Sequence, residues 1–485
     1  MDRKIIFACG VAALLLLAAG GYFLSSGKTS AAPKKKAAGP ALPPGIVWND
    51  IYKFGAQGYE PGLVVDSKGY MYYTAHKNLD DKTSWPYLAS WFFYANPDGT
   101  GWQSPNQPPL RGQKWKTEEG DEGDIGVDAN DRIYYVDTFL KTTGDNHIHV
   151  FDDPGVWQYS VRYQKTNGRD DRPWITAQGS GILNYLGNNA VEVNGGREWA
   201  YRSTDGGRIW TLGTPVPGNG WGHIDAERKG THVYIISESD TEVPADIRVY
   251  ASSDSGATWD FSNPKVVAHR DGPGSVPGIA DGFPIWICAG PDGAVWCIWS
   301  DTQGTETHNQ MFVGWSFDYG QNWNTTEITP WNGYFLYPTL NVGEDGTVAV
   351  AFYATESVPV TNESKWYVYA GMIRPTSPFH PANPGFNALV NATRLALAEA
   401  ASSSPNATNI TNLNSTLFFN FTKGEDAPCT TGSNLHDLHD FFEIAVGPDG
   451  YLNVAYQHYI GPANGHSELY FVRGTLPSGN ETAPG

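Results

Sequence analysis

Short apolar runs alternate with tight turns along most of the chain. The clearest unit is an apolar strand, a turn with Asp or Gly and a second apolar strand, as in Leu63-Val-Val-Asp-Ser-Lys-Gly-Tyr-Met-Tyr-Tyr. β-Branched and aromatic residues favour strands, and Asp and Gly favour the turns of hairpins. The starts of the units that follow this pattern are Leu63, Ile125, Trp174, Ile224, Ile285, Leu340 and Ile444. The pattern predicts a series of antiparallel hairpins.

A second hairpin follows each start, and most starts lie roughly 50 to 60 residues apart, which is the length of one four-stranded propeller blade. We therefore predict an all-β fold, a β-propeller of four-stranded antiparallel blades. Seven blades are favoured, with six if one weak unit is not a blade. The propeller is expected at residues 46–474, with a loop and helix insertion at about 375–434. The Ala/Leu-rich stretch Asn387–Ala401 is the candidate helix within this insertion.

An eight-residue motif, Ser-x-Asp-x-Gly-x-x-Trp, occurs three times in the middle of the chain. The Ser and Asp side chains can accept hydrogen bonds from nearby amides, Gly permits a positive φ, and Trp can cover the turn. We predict that each copy is a hairpin turn. The motif residues are Ser203, Asp205, Gly207 and Trp210; Ser252, Asp254, Gly256 and Trp259; and Ser316, Asp318, Gly320 and Trp323.

This motif resembles the Asp box of sialidase-like (BNR-repeat) β-propellers, in which the box is a structural turn remote from the active site. Asp171-Arg172-Pro173-Trp174-Ile175 and His439-Asp440-Phe-Phe-Glu443 also resemble strand entries of secreted members. The resemblance implies a divergent extracellular member of that family. Sialidases hold the substrate carboxylate with three arginines and use a Tyr–Glu nucleophile pair and an Asp acid. The early Arg-Ile-Pro motif of the family is absent here, so the resemblance indicates the fold more strongly than the reaction.

Ligand chemistry is expected at the face opposite the Asp boxes, where the inner strands begin and the second strands end. Propellers usually bind ligands there, over the central channel. The candidate ligand-binding residues on this face are Arg172, Trp221, His223, Asp301, Asp440 and His458. If the protein is an enzyme, Tyr337 with Glu356 and Asp124 are the catalytic candidates. No metal site and no cofactor are predicted.

The N-terminus indicates export. Arg3 and Lys4 precede an apolar run that reaches about Leu24, and either a cleaved signal peptide or a membrane anchor fits residues 1–24. An Ala/Pro/Lys-rich linker follows at residues 25–45, and residues 475–485 form a C-terminal tail. The glycosylation sequons agree with an exported chain. They are at Asn324, Asn362, Asn391, Asn406, Asn409, Asn414, Asn420 and Asn480.

Charge and cysteine content narrow the possible partners. The formal net charge of −19 argues against nucleic acid as a ligand. Cys288 and Cys297 flank a predicted turn and could form a disulfide or remain buried thiols, whereas Cys429 has no evident partner. The aromatic content of 13% agrees with an all-β chain.

These features predict a secreted or cell-surface propeller that recognises a glycan or glycoprotein, with a possible membrane tether. The first alternative is a glycoside hydrolase of the exo-sialidase type that uses the Tyr/Glu pair and Asp on the channel face. The second alternative is a structural component of the cell envelope or a surface layer. Fold by itself does not choose among them.

Overall fold

The computed structural model describes residues 46–77, 90–104, 121–138, 145–164, 173–189, 197–218, 222–239, 245–270, 285–301, 309–329, 333–355, 365–373, 422–423, 429–430, 441–459 and 467–476. All of them belong to the compact unit Gly39–Gly485, and the other unit, Met1–Ala38, lies outside the described residues. The predicted leader, linker and helix Asn387–Ala401 also lie outside them. Within the described ranges, no helix has the length and apolar character needed to cross a membrane.

The described residues form antiparallel β-sheets, as predicted, and their only helical element is the 3-10 turn Pro291–Gly293. Five sheets are separate blades built from consecutive strands. The strands of the first three are β5 (Asp121–Val127), β6 (Ile133–Thr138), β7 (Asp145–Asp152) and β8 (Val156–Gln164); β9 (Pro173–Gln178), β10 (Ile182–Asn189), β11 (Arg197–Ser203) and β12 (Thr214–Val216); and β13 (His223–Ala226), β14 (Val233–Glu238), β15 (Ala245–Ser252) and β16 (Lys265–Arg270). The strands of the other two are β17 (Trp286–Ala289), β18 (Val295–Asp301), β19 (Gln310–Ser316) and β20 (Asn324–Glu327); and β21 (Tyr334–Val342), β22 (Val348–Thr355), β23 (Lys365–Ile373), β24 (Thr422–Lys423) and β25 (Cys429–Thr430).

A sixth sheet has seven strands and joins the two ends of the folded chain. Its strands are β1 (Val47–Trp48), β2 (Tyr52–Val65), β3 (Met71–Lys77), β4 (Trp91–Ala95), β26 (Glu443–Val446), β27 (Leu452–Tyr459) and β28 (Ser467–Thr475). The first part of β2 pairs with β28, where Tyr52 lies opposite Phe471. The later part of β2 pairs with β3, where Val65 lies opposite Met71.

The inner strands of the sheets contact one another in a closed ring. The order around this ring is β2, β5, β9, β13, β17, β21 and β26, which contacts β2 again. The inner strands therefore surround a central channel. The predicted count of seven separate blades, or six, is nevertheless wrong: five blades are separate sheets, because the β2–β28 hydrogen bonds merge the remaining strands into one sheet.

Burial falls from the second strand to the outer edge of each blade. Every residue of β14, β18 and β22 is buried, because these strands have a neighbouring blade on each side. The outer strands β12 and β20 are largely exposed. A strand that is covered on both faces needs no alternation of apolar and polar residues. This explains the continuous apolar runs in the sequence.

The three repeated motifs form the hairpin turns that the sequence predicted. In the first copy, the Ser203 hydroxyl donates to Asp205 at 2.8 Å and accepts from the Gly207 amide at 2.9 Å. Asp205 also accepts from the Ile209 amide, and the Trp210 indole donates to the Gly207 carbonyl, both at 2.9 Å. The copies that start at Ser252 and Ser316 repeat the Ser and Asp bonds.

The proposed disulfide does not form, since Cys288 and Cys297 are both free and buried. Cys288 lies opposite Trp296 in the sheet, and Cys297 lies opposite Ile287. Residues directly opposite share a face, and successive residues on a strand alternate between faces. The two thiols therefore lie on opposite faces of the blade and cannot meet. The side chain of Cys429 lies outside the described residues, but β24 and β25, within the predicted insertion, pair with β23.

Candidate functional site at the channel

The entry end of the channel is the end at which the inner strands begin, and the turn end is the opposite one. The topology puts three of the predicted ligand-binding residues at the entry end. His223 begins β13, Asp301 ends β18, and His458 precedes the last residue of β27. The other predicted residues, Arg172, Trp221, Asp440 and the catalytic candidate Glu356, lie outside the described residues.

Tyr59, Glu60, His76 and Gln457 form a compact polar group at the entry end, called here the entry cluster. The Tyr59 and His76 rings stack with their centroids 4.4 Å apart. Glu60 Oε2 lies 3.2 Å from His76 Nε2, and the Glu60 amide donates to Gln457 Oε1 at 2.8 Å. Glu60 and His76 are each 4% exposed, whereas Tyr59 is half-buried. The entry cluster thus combines an aromatic ring with carboxylate, imidazole and amide groups.

Backbone strain is present at two equivalent positions of the entry end. Glu60 has φ 50° and Tyr337 has φ 51°. Each precedes a proline and lies where the pairing register of its strand shifts, in β2 and in β21. Positive φ costs a residue with a Cβ about 1 kcal/mol or more, and such residues are concentrated at functional sites. Asp131, Ser255, Asp292 and Tyr319 also have positive φ, so the strain does not by itself single out the entry end.

Tyr337 is not placed as a surface nucleophile. Its side chain is 4% exposed and belongs to the apolar cluster that contains Tyr353 and Phe442. The Tyr337 and Tyr353 rings meet edge to face with their centroids 6.4 Å apart. A tyrosine nucleophile has to reach its substrate and needs an adjacent base. The Tyr337 side chain is packed in the apolar core, where a substrate cannot reach it.

Asp124 is paired with a second carboxyl group, Glu443, that the sequence reasoning did not select. Asp124 accepts from the amides of Ile125 at 2.7 Å and Ile175 at 2.6 Å, and Glu443 accepts from the Leu63 amide at 2.7 Å. The Glu443 carboxyl also donates to Asp124. Burial raises the pKa of Asp124 to about 7, and burial together with the Asp124 charge raises the pKa of Glu443 well above its usual range.

Aromatic side chains fill the channel beside this carboxyl pair. The His223 ring stacks on Trp286 with a centroid distance of 3.9 Å, and Trp174 contacts His223, Trp286 and Phe441 edge to face. His223 Nδ1 donates to the Ile287 carbonyl at 3.1 Å, and burial lowers the pKa of His223 to about 3. His223 is therefore a neutral core residue at physiological pH.

A buried arginine at the entry end was also missed by sequence reasoning. Arg270 ends β16, is 2% exposed and forms an ion pair with Glu238, the last residue of β14. Burial lowers the pKa of Arg270 to about 10, against the raising effect of Asp301. Asp301 thus lies near the buried Arg270 cation. Arg270 could not be selected from the sequence, because a single Arg at the end of a strand belongs to no local motif.

Comparisons with known proteins add no family. The sequence matches no protein-family model and no curated protein. Solved structures that resemble the fold include the Hadza microbial sialidase Hz136, with 15% identity, coverage of 61% of this chain and 63% of that chain, and a TM-score of 0.41. The chain thus spans less than two thirds of Hz136.

Two further solved structures illustrate the range. The K499G mutant of NanB sialidase from Streptococcus pneumoniae is 11% identical, with coverage of 88% of this chain and 70% of that chain and a TM-score of 0.38. The Penicillium chrysogenum α-L-arabinanase, complexed with arabinobiose, is 12% identical, with coverage of 73% and 92% and a TM-score of 0.38. No conclusion about activity or ligand follows from similarities of this size.

Proposed function

We propose that this chain is an extracellular β-propeller that binds glycans at the entry end of its channel and does not cleave them. The entry cluster is the observation that carries the proposal. The half-buried Tyr59 ring can cover the C–H face of a sugar, while Glu60, His76 and Gln457 are hydrogen-bonding groups held by each other. Binding pockets commonly combine an aromatic surface with a few fixed polar groups of this kind.

Burial of the catalytic candidates supports binding over hydrolysis. Asp124 is 6% exposed and Tyr337 is 4% exposed, and both Asp124 oxygens accept backbone amides. The sequons support the extracellular location, and Asn324, the one within the described ranges, is exposed on β20. A membrane tether through residues 1–24 and membership of the sialidase-like family stay predictions.

A glycan array tests this proposal directly. We expect the full-length chain to bind a subset of glycans and Tyr59→Ala to lose about ten-fold or more in affinity, because aromatic anchors contribute strongly to binding. Tyr52→Ala is the matched control: Tyr52 lies on the same strand but is 37% exposed and contacts Phe54 and Trp102 instead. Equal losses in both variants, or no glycan bound by the wild type, would contradict the proposal.

A glycoside hydrolase is the second candidate, because the channel holds two adjacent carboxyl groups, Asp124 and Glu443, although their spacing does not match that of known enzymes of this class. Such enzymes separate their two carboxyl groups by about 5 to 5.5 Å or about 6.5 to 9.5 Å. Asp124 and Glu443 share a hydrogen bond and are closer than either spacing. Release of sugar from α-sialosides or neutral glycosides by the wild type, abolished in Asp124→Asn, would establish this candidate in place of binding alone.

A further inference from the structure

A cavity of about 590 Å³ occupies the turn end of the channel, on the face opposite the entry cluster. Every inner strand contributes the residue two positions before its turn, so that this layer surrounds the cavity. The layer residues are Val64, Gly126, Thr176, Asp225, Cys288, Asn341 and Ala445. A cavity of this volume is in the range that holds a small molecule.

The cavity wall has two chemically different sides. Thr176, Asp225, Cys288 and Asn341 come from four consecutive blades and form a polar arc. Val64, Gly126 and Ala445 complete the layer with small or apolar side chains. A ligand that fits this wall has an apolar body and a polar end that faces the arc.

Asp225 is the charged member of the arc, and its orientation is fixed. The Thr176 hydroxyl donates to Asp225 Oδ1 at 3.3 Å, and the Ala289 amide donates to Oδ2 at 2.8 Å. The Cys288 thiol lies beside Asp225 and donates to the Ala289 carbonyl at 3.7 Å. Asp225 nevertheless keeps part of its surface open to the cavity. Burial raises its pKa, so a bound cation would favour its ionised form.

The charges around the cavity favour a cation over an anion. The acidic lining residues are Asp225, Glu227, Asp292 and Glu344, against the basic residues Arg228 and Lys229. Arg228 is paired with Asp131, Lys229 with Glu344 at 2.7 Å, and Glu227 with His232 at 3.1 Å. Asp225 and Asp292 are thus the lining carboxylates without a cationic partner among the described residues.

We propose that the turn-end cavity binds a small cationic amphiphile, with its ammonium group at Asp225 and its apolar body against Val64, Gly126 and Ala445. This site is separate from the entry cluster. Asp225 is the charged residue of the polar arc, and Thr176 and Ala289 hold its carboxylate in place at the cavity wall.

Titration calorimetry with three probes of one chain length tests the site: hexylammonium, hexanol and hexanoate, each added to the full-length chain. We expect hexylammonium to bind, and hexanol and hexanoate to bind about ten-fold more weakly or less, since a desolvated carboxylate discriminates by charge. No binding of hexylammonium at millimolar concentration, or equal affinity for hexanol, would overturn the proposal.

Three variants locate the site. Asp225→Asn is expected to reduce hexylammonium affinity about ten-fold, and Asp292→Asn, the same change at the exposed rim, to leave it within about two-fold. Val64→Phe adds bulk to the apolar wall of the cavity and leaves Asp225 unchanged, so it is expected to weaken binding even if Asp225→Asn fails to fold. Full affinity in Val64→Phe, or equal losses in the two Asp→Asn variants, would contradict the assignment. Glycan binding serves as an independent readout, because it uses the opposite end of the channel.

Discussion

Carboxylate side chains at the channel link neighbouring blades by accepting hydrogen bonds from backbone amides. Asp124 of β5 accepts from Ile175 of β9, Asp225 of β13 accepts from Ala289 of β17, and Glu443 of β26 accepts from Leu63 of β2. A charged acceptor makes stronger hydrogen bonds than a neutral one, and removal of a buried partner leaves an amide unsatisfied. These acidic residues at the channel therefore have a structural role, including Asp124, which the sequence predicted as a catalytic candidate.

The shared proton of Asp124 and Glu443 predicts a pH-dependent stability. Burial raises the pKa of Glu443 well above its usual value of 4.5, so the folded chain keeps a proton that the unfolded chain loses as the pH rises. Its contribution is complete below pH 4.5 and is lost as the pH rises towards the folded pKa. The free energy of unfolding should fall by at most about 1.4 kcal/mol per pH unit for each retained proton.

Glu443→Gln tests this expectation, because its amide can donate to Asp124 and accept from Leu63 as protonated Glu443 does. We expect a shallower fall of the free energy of unfolding in the variant, measured by urea denaturation from pH 5 to pH 8. Glu227→Gln is the control, since the Glu227 carboxylate accepts from His232 of its own turn region and is not paired with a carboxyl group among the described residues. Parallel pH profiles for wild type and Glu443→Gln would refute the shared proton.

At the scale of elements, the turns of the Ser-x-Asp-x-Gly-x-x-Trp motif show how contiguous residues fix local geometry. Ser316 Oγ donates to Asp318 at 2.7 Å and accepts from the Gly320 amide at 3.0 Å, and Gly320 has φ 76°. These Ser, Asp and Gly partners lie within the motif, whereas the Tyr319 amide of the same turn donates to the Gly293 carbonyl of the preceding hairpin. The register shifts at Glu60 and Tyr337 are different, because they depend on the neighbouring strands as well as on the following prolines.

Ser316→Ala should destabilise the protein by about 1 to 3 kcal/mol, because it leaves the buried Gly320 amide without its acceptor. Gln321→Ala in the same turn changes an exposed side chain and should stay within about 0.5 kcal/mol. Chemical denaturation of both variants measures the difference. If Ser316→Ala and Gln321→Ala had the same denaturation midpoint, the hydrogen bonds of Ser316 would not contribute to stability.

At the scale of the whole molecule, the ring is closed where the first part of β2 pairs with β28. A propeller without this pairing exposes an open sheet edge and the apolar surface between its first and last strands. Closure also brings Glu60 next to Gln457, so the entry cluster exists only in the closed ring. The candidate functional site therefore depends on the pairing of β2 with β28.

A chain that lacks residues 46–57 should no longer unfold in one cooperative transition, because the deletion removes β1 and the part of β2 that pairs with β28. Deletion of residues 477–485, which follow β28, should leave the transition unchanged. Thermal unfolding followed by circular dichroism compares the two chains. An unchanged transition in the first deletion would mean that the ring is held closed by contacts between blades without this strand.

Local patterns predicted much of the fold and little of the site. The starts Leu63, Ile125, Ile224 and Ile444 all lie in inner strands, because apolar strands and Asp/Gly turns are encoded by adjacent residues. The sequence could not select Glu443 or Arg270, whose partners Asp124 and Glu238 lie on other strands. It also could not foresee that Tyr337 is buried.

The sequence by itself determined the β-strands, the hairpin turns of the Ser-x-Asp-x-Gly-x-x-Trp motif and the four-stranded blade, since each depends on contacts within one short segment. The tertiary structure decided that β2 pairs on both sides, so that five blades stay separate and the chain ends share one sheet. It also decided that Cys288 and Cys297 point apart and that Asp124 meets Glu443. These features depend on register and ring closure, which bring together residues that no local pattern connects.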